Sequence, residues 1–354
     1  MTGTVHQFHP VLAPGDAMSN HVFALRRQLR DWGYRAEAYT VAAKRGLERD
    51  VLTYRRLFRT AAADDLLILH FSMGHEVFDQ LVKLPCRKVL LYHNVTPPEF
   101  FAGINPHAAA HARLGRRQLA QLAPHVEVAI GVSEFNRREL EAVGFARTLT
   151  VTILIDWAAY DVPPDEGVLA GWDRPETKLL LVGRVSPNKR QDELIRMLAY
   201  YRRCVDAEAR LLLVGSHRDQ PQYHARLRSL ARSLALEDAV TFTGLVSLAA
   251  LVAYYRRASA FVSLSEHEGF GVPLLEAMRF ELPVVALDAA AVGETVDGAG
   301  ILLPTRDLAE AAEACALVIE RAGLRRQLVE QGLRRVGDFA TEKVAARTRE
   351  ALAL

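Results

Sequence analysis

The chain has 354 residues, half of them hydrophobic and 24% charged, with a formal net charge of +2. Its length exceeds one ordinary core and implies two domains, since a domain usually takes about 100–200 residues. The composition excludes a disordered or fibrous chain, and the small charge excess gives no sign of a nucleic-acid partner. Three cysteines, Cys86, Cys204 and Cys315, are odd in number and far apart, which excludes a disulfide framework or a cysteine metal site and fits a reducing compartment. The opening residues MTGTVHQFHPVLAPGD carry no basic or apolar export segment. No run approaches the roughly 18–20 apolar residues that cross a bilayer, so a cytoplasmic protein is expected.

In chain order, short runs rich in Val, Ile and Leu alternate with longer amphipathic ones, which predicts βαβ units and parallel sheets covered by helices on both faces. The first half gives strands over 5–8, 35–39, 66–70, 88–92, 128–132 and 149–154, and helices over 20–32, 51–60, 107–122 and 134–143. A stretch without periodicity runs from Val162-Pro163-Pro164-Asp165-Glu166-Gly167 to Gly171, Asp173 and Pro175, and marks a domain boundary. Beyond it the alternation restarts with strands over 179–182, 210–214, 240–243, 260–264 and 283–286, and a last helix spans 342–354. The expected organisation is a first domain over 1–165, a second over 166–336, and a closing helix over 337–354 that packs back on the first. Arginines group at Arg26, Arg27 and Arg30, at Arg55, Arg56 and Arg59, and at Arg113, Arg116 and Arg117. Helical spacing makes these solvated helix faces, or alternatively a surface for anionic lipid headgroups or a phosphorylated acceptor.

Two segments carry chemistry. Ser265-Glu266-His267-Glu268-Gly269-Phe270-Gly271-Val272-Pro273-Leu274-Leu275-Glu276 joins a predicted strand to a helix that Pro273 is suited to open. Its glycines allow close backbone approach, and the first N–H groups of the helix make an anion site at a strand end, where open parallel sheets bind ligands. Glu268 and Glu276, with seven residues between them, can both face one ligand as acceptors for sugar hydroxyls; the plainer reading makes Glu268 a helix cap and Glu276 a solvated helical residue. Gly183-Arg184-Val185-Ser186-Pro187-Asn188-Lys189 follows another predicted strand. Arg184 offers a planar fork and Lys189 a point charge, two ways of neutralising phosphate oxygens; a basic surface turn is the plainer reading.

Further motifs are Leu213-Val214-Gly215 after a strand, Pro14-Gly15-Asp16-Ala17-Met18-Ser19-Asn20, Tyr92-His93-Asn94-Val95-Thr96-Pro97-Pro98-Glu99-Phe100-Phe101 and Ser133-Glu134-Phe135-Asn136. Together these resemble the retaining glycosyltransferases of family 4 (glycosyl transferases group 1), over nearly the whole chain. That family has the α/β GT-B fold, two Rossmann-like domains facing each other across a cleft. The resemblance implies that Arg184 and Lys189 hold a donor diphosphate, that Glu276 binds ribose hydroxyls and that Glu268 binds hydroxyls of the transferred sugar. It places Gly183, Phe270, Gly271, Val272 and Leu274 around the donor, makes Gly15 and Asp16 the facing loop of the first domain, and sets His93 beside the reacting carbon or acceptor hydroxyl. Thr152-Ile153-Leu154-Ile155-Asp156 departs from the usual pattern, which has proline before the isoleucine.

The implied activity is transfer of a hexosyl group, with retention, from a UDP- or GDP-sugar to a hydroxyl of a glycan, lipid-linked or natural-product acceptor, with peripheral contact at the inner membrane. No cofactor and no metal are expected: the chain has no Asp-x-Asp sequence to hold a divalent ion against a diphosphate. His107 and His111 have the spacing of a zinc pair but lack a third ligand near in sequence, while His70 and His75 suit a structural role or an acceptor contact equally. A dehydrogenase is disfavoured by the missing Gly-x-Gly-x-x-Gly turn after the first strand. A sugar-nucleotide epimerase and a noncatalytic sugar-nucleotide binder are the alternatives.

Overall fold

The computed structural model describes residues 3–44 and 46–354. They divide into two compact units, one formed by the chain up to Ala102 with Pro106–Trp157 and Phe339–Leu354, the other by Gly103–Asn105 and Ala158–Asp338. The division falls at Trp157, ahead of the turn-rich stretch that begins at Val162. Those turns already belong to the second unit: the Asp165 amide donates to the Ala249 carbonyl at 3.0 Å, and the Asp165 carboxylate caps the helix Glu166–Gly171. Turn composition reports local backbone freedom, whereas a domain border is set by the core that the flanking side chains enter.

In the first unit seven parallel strands run in the order Leu52–Thr53, Arg35–Thr40, Thr4–Phe8, Leu66–Phe71, Arg87–Tyr92, Val128–Gly131 and Thr148–Thr150. The inner strands are apolar on both faces because both are covered. Phe8, Leu69, Phe71 and Tyr92 pack with Phe78 and Leu119. On the other face Val5, Ile68 and Leu91 meet Leu25 and Leu29 of the helix Ala17–Asp31, with Val344 and Leu352 from the chain end. Two predicted elements change character. The helix over 51–60 resolves into the strand Leu52–Thr53, a 3-10 turn Tyr54–Arg56 and one helical turn Leu57–Thr60. The strand over 149–154 shortens to Thr148–Thr150, although Val151, Ile153, Leu154 and Ile155 stay buried beyond the sheet; apolar content alone does not separate a paired strand from a buried crossing segment.

The chain end is stitched to that crossing segment. Trp157 Nε1 donates to the Phe339 carbonyl at 2.9 Å, Thr341 Oγ1 donates to the Ile155 carbonyl at 3.0 Å, and the helix Thr341–Ala351 follows. Leu352 is fully buried, so Leu352→Ala is expected to cost roughly 2–4 kcal/mol and to lower the urea midpoint; an unchanged midpoint would show that the chain end adds nothing to the first core.

The second unit carries six parallel strands in the order Val240–Gly244, Arg210–Val214, Lys178–Val182, Ala260–Ser263, Val284–Leu287 and Ile301–Leu303. The short last strand has no counterpart in the periodicity. In each sheet the first strand of the unit lies between two later ones: Thr4–Phe8 between Arg35–Thr40 and Leu66–Phe71, and Lys178–Val182 between Arg210–Val214 and Ala260–Ser263. Connections diverge there, the place beyond the carboxyl ends of the strands where open α/β sheets bind ligands. Among the described residues no helix is long and apolar enough to cross a membrane. Several clustered arginines are tied into the fold: Arg26 to the Asp50 carbonyl, Arg27 to Asp156, Arg30 to the Ala36 carbonyl and Arg116 to Glu139.

Candidate functional site

At the switch point of the second unit, two strand-end loops lie backbone against backbone. The Gly183 amide donates to the Val214 carbonyl and the Val185 amide to the Ser216 carbonyl, both at 2.9 Å. A Cβ on Gly215 would stand 2.1 Å from the Gly183 carbonyl oxygen, at a φ of +147°. Gly215→Ala is therefore expected to force the Gly183 turn outward and lower the melting temperature by several degrees, read by circular dichroism; an unchanged melting curve would show that the turn has room to spare.

The same turn is tied to the loop after Ala260–Ser263. The Glu266 amide donates to the Asn188 carbonyl and Asn188 Nδ2 to the His267 carbonyl, both at 2.9 Å. Three basic residues of the turn then part company. Arg190, in the left-handed region at φ +49°, shares its guanidinium among Asp192, Glu193 and Glu266, and Arg306 joins the last two. Lys189 lies over Gly183 and reaches Glu268 Oε1 with its Nζ at 2.5 Å. Arg184 stands exposed and makes no ion pair among the described residues, its carbonyl accepting from Gln191 Nε2 at 3.1 Å. Arg190 thus ties the loops together, Lys189 is paired with Glu268, and Arg184 points no charge at an acid among the described residues.

Glu268 is no helix cap. The helix Val272–Arg279 opens from Gly271, at φ +97°, with no side-chain cap, and Glu268 is the partner of Lys189. Phe270, Val272 and Leu274 are buried, and the Phe270 carbonyl accepts from Thr295 Oγ1 at 2.6 Å. Glu276 is not a solvated helical residue either. It is buried, with Tyr160 Oη donating to Oε1 and Tyr255 Oη donating to Oε2 at 2.5 Å. Phe280 stacks on Tyr255 with ring centroids 5.2 Å apart. Burial raises the Glu276 pKa above 4.5, and the two phenol hydrogen bonds oppose that shift. The two glutamates therefore meet different partners, one a cation and the other an aromatic cage. A carboxylate has about four lone-pair sites, so each keeps capacity to accept from a hydroxyl.

In the first unit Asp16 is the N-cap of Ala17–Asp31: its Oδ2 accepts from the Ser19 amide and hydroxyl, each at 3.1 Å, while Gly15 turns the chain at φ +69°. His93 follows the strand Arg87–Tyr92, and Asn94 beyond it adopts φ +78°. Glu139 anchors this corner by accepting from Tyr92 Oη at 2.8 Å, Asn94 Nδ2 at 3.1 Å and Arg116 Nη1 at 2.5 Å. Asn94 Nδ2 also donates to Asn136 Oδ1 at 2.8 Å, and Ser133 caps the helix Glu134–Val143 that carries both acceptors. The Tyr92–Val95 and Ser133–Asn136 motifs are thus one construction that fixes His93.

Behind His93 lies a group that no sequence motif marks. His21, His70 and His93 bring one ring nitrogen each within 4.8 Å of one another, and no other group of three His, Cys, Asp or Glu side chains lies so close among the described residues. Burial lowers the His21 pKa to about 4 and holds His70 and His93 well below 6.5, so all three are uncharged near neutrality. The signal in the sequence is faint. Along one sheet face the alternations Val5–Gln7, Ile68–His70 and Leu91–His93 each end on a polar residue. His75 and His111 bond elsewhere, to the Val77 amide and the Gly74 carbonyl, each at 3.2 Å.

Residues 170–335 match the family described as glycosyl transferases group 1. That span lies within the second unit and covers most of it. The chain is similar to a D-inositol 3-phosphate glycosyltransferase from Kineococcus radiotolerans, 28% identical over 67% of this chain and 58% of that protein. It is also similar to a GDP-mannose-dependent alpha-(1-6)-phosphatidylinositol monomannoside mannosyltransferase from Mycobacterium tuberculosis, 33% identical over 40% of this chain and 38% of the relative. The matched region thus spans between about a third and three fifths of these relatives' lengths. Among solved structures, Anabaena HepE in complex with UDP and glucose matches with a TM-score of 0.79 at 18% identity, covering 99% of both chains. Sucrose-phosphate synthase from Thermosynechococcus elongatus matches with a TM-score of 0.77 at 18% identity, covering 98% of both. These likenesses show the fold, GT-B. The matched span contains Arg184, Lys189, Glu268 and Glu276, and it begins within the turn-rich stretch that starts at Val162.

Proposed function

We propose that the chain is a glycosyltransferase that moves a hexosyl group from a UDP- or GDP-sugar to an acceptor hydroxyl with retention of configuration and without a metal. The observation that carries this reading is the coupling of Lys189 to Glu268 at the strand-end switch point of the second unit, beside an Arg184 that makes no ion pair among the described residues. The match of residues 170–335 to glycosyl transferases group 1 and the relatives named as glycosyltransferases support the reaction class. A diphosphate bound there meets Arg184 and Lys189 as cationic hydrogen-bond donors to its oxygens. Glu268, drawn partly away from Lys189, then accepts from a hydroxyl of the sugar that the diphosphate carries. Phe270, Gly271 and Val272 form the backbone wall, and Glu276 takes the ribose while held in place by its two tyrosines.

In the reaction the bond from the anomeric carbon to the diphosphate oxygen breaks. The acceptor oxygen bonds to that carbon on the same face, and its proton passes to the departing phosphate oxygen. Negative charge grows on the leaving group, so fixed cations are worth most at the transition state. His93 serves as a hydroxyl partner on the first unit. Relatives named for inositol phosphate and phosphatidylinositol substrates support a phosphorylated or lipid-linked acceptor. A sugar-nucleotide epimerase would instead interconvert donors with no acceptor present.

The test is release of nucleoside diphosphate from a panel of UDP- and GDP-sugars, with and without EDTA. Slow donor hydrolysis that survives EDTA supports the proposal and names the donor. Loss of turnover in EDTA removes the metal-free mechanism, and a panel in which no donor reacts or shifts the melting temperature removes the reaction itself.

A further inference from the structure

Gln7, His70 and His93 form a chain of hydrogen bonds whose direction can be worked out atom by atom. Gln7 Nε2 lies 3.2 Å from the Val22 carbonyl, to which only an N–H can donate, so the amide oxygen is the atom 2.9 Å from His70 Nε2. An amide oxygen only accepts. His70 Nε2 therefore carries the ring proton. Burial beside the His93, His21 and His9 rings keeps His70 uncharged near neutrality, so its Nδ1 is a lone pair. That lone pair lies 3.0 Å from His93 Nε2, which must be the donor. His93, also kept uncharged by burial, is left with a lone pair on Nδ1, and that atom is buried without a hydrogen-bond partner.

Among the described residues no group donates to that atom. His21 stands edge-on to both rings, at 5.6 Å from His70 and 5.3 Å from His93 between centroids. His9 is turned to Ser72 Oγ at 2.9 Å and the Val11 carbonyl at 2.7 Å. The ring bonds of His70 and His93 run to Gln7 and to each other, with no carboxylate to hold an imidazolium. A buried acceptor without a donor is unfavourable in the free protein and relieved by an incoming O–H group.

We propose that Gln7 and His70 are positioning residues that lock His93 in the tautomer protonated on Nε2, so that its bare Nδ1 accepts a hydrogen bond from a hydroxyl of a bound sugar or polyol. His93 then orients a hydroxyl through its oxygen without adding positive charge beside it. The hydroxyl's place in catalysis rests on the glycosyl-transfer reading; the tautomer does not.

The test is nitrogen NMR of the full chain labelled on its histidine imidazoles, near pH 7, since protonated and bare ring nitrogens resonate far apart. The expected result is a proton on Nε2 and none on Nδ1 for both His70 and His93. A proton on His93 Nδ1, or a doubly protonated ring, overturns the proposal, and the wild-type spectrum alone decides this. Gln7→Leu removes the acceptor that sets the direction and is expected to give mixed tautomers and to lower kcat roughly 10-fold or more, with the donor KM little changed. Gln7→Glu keeps an acceptor and is expected to keep the wild-type tautomers. Unaltered tautomers in Gln7→Leu overturn the positioning role. Stoichiometric uptake of Zn2+ by EDTA-treated protein with loss of the His21, His70 and His93 lone-pair signals also overturns it, since the nitrogens would then belong to a metal. A wild-type protein that turns over no donor sinks the glycosyl-transfer reading and leaves the tautomer result standing.

Discussion

Lys189→Ala is expected to lower donor turnover by about 10²–10³-fold, the loss typical when one fixed group that stabilises developing negative charge is removed. Lys189 and Glu268 are largely buried, with side-chain exposures of 17% and 15%, so the same change strands a carboxylate. It therefore lowers stability as well as rate. The two effects separate in a double variant. Lys189→Met with Glu268→Gln removes both charges together, which restores much of the stability, because deleting a partly buried pair as a whole costs less than deleting one member. Turnover stays low in the double variant, since the diphosphate still lacks its cation. Denaturant midpoints and nucleotide release measured on wild type and both variants check this. Turnover that returns with stability would mean that Lys189 only holds Glu268 in place.

Glu276→Ala is expected to destabilise the protein by about 3 kcal/mol, because Tyr160 and Tyr255 would each keep a buried hydroxyl without an acceptor. Glu276→Gln is milder and exposes a pH dependence. The Glu276 carboxyl titrates above 4.5 in the folded chain because burial disfavours its charge. The folded state therefore binds the proton more tightly than the unfolded state does. The stability this gives is fully present below the unfolded pKa and is lost as pH rises through the raised folded value. Relative to Glu276→Gln, the wild type should lose stability as pH rises above about 4.5, read as diverging urea midpoints. Parallel midpoints would mean that the tyrosine hydrogen bonds offset the burial in full.

Much of the fold is legible in the sequence because parallel-sheet strands buried on both faces are short apolar runs whatever their order. The strand Arg210–Val214 and the helix Glu134–Val143 begin and end where periodicity puts them. Residues 51–60 mislead because their apolar spacing suits a helix, while Leu52–Thr53 is drawn into the sheet edge beside Arg35–Thr40. Ile301–Leu303 escapes periodicity because a three-residue strand has no period to detect.

The sequence by itself determined the alternation of strands and helices, the two-unit organisation, and the placing of Gly183–Lys189 and Glu268–Glu276 at strand ends, because those depend on local periodicity and turn chemistry. Only the tertiary structure decided what each charged group faces. It gave Arg190 to a structural ion cluster, Lys189 to Glu268, Glu276 to two tyrosines 116 and 21 residues away in sequence, and His93 to a chain beginning at Gln7. Partners so distant in sequence leave no local pattern. They are fixed by strand order, which brings the ends of Thr4–Phe8, Leu66–Phe71 and Arg87–Tyr92 side by side, and by burial, which leaves each polar atom few partners to choose from.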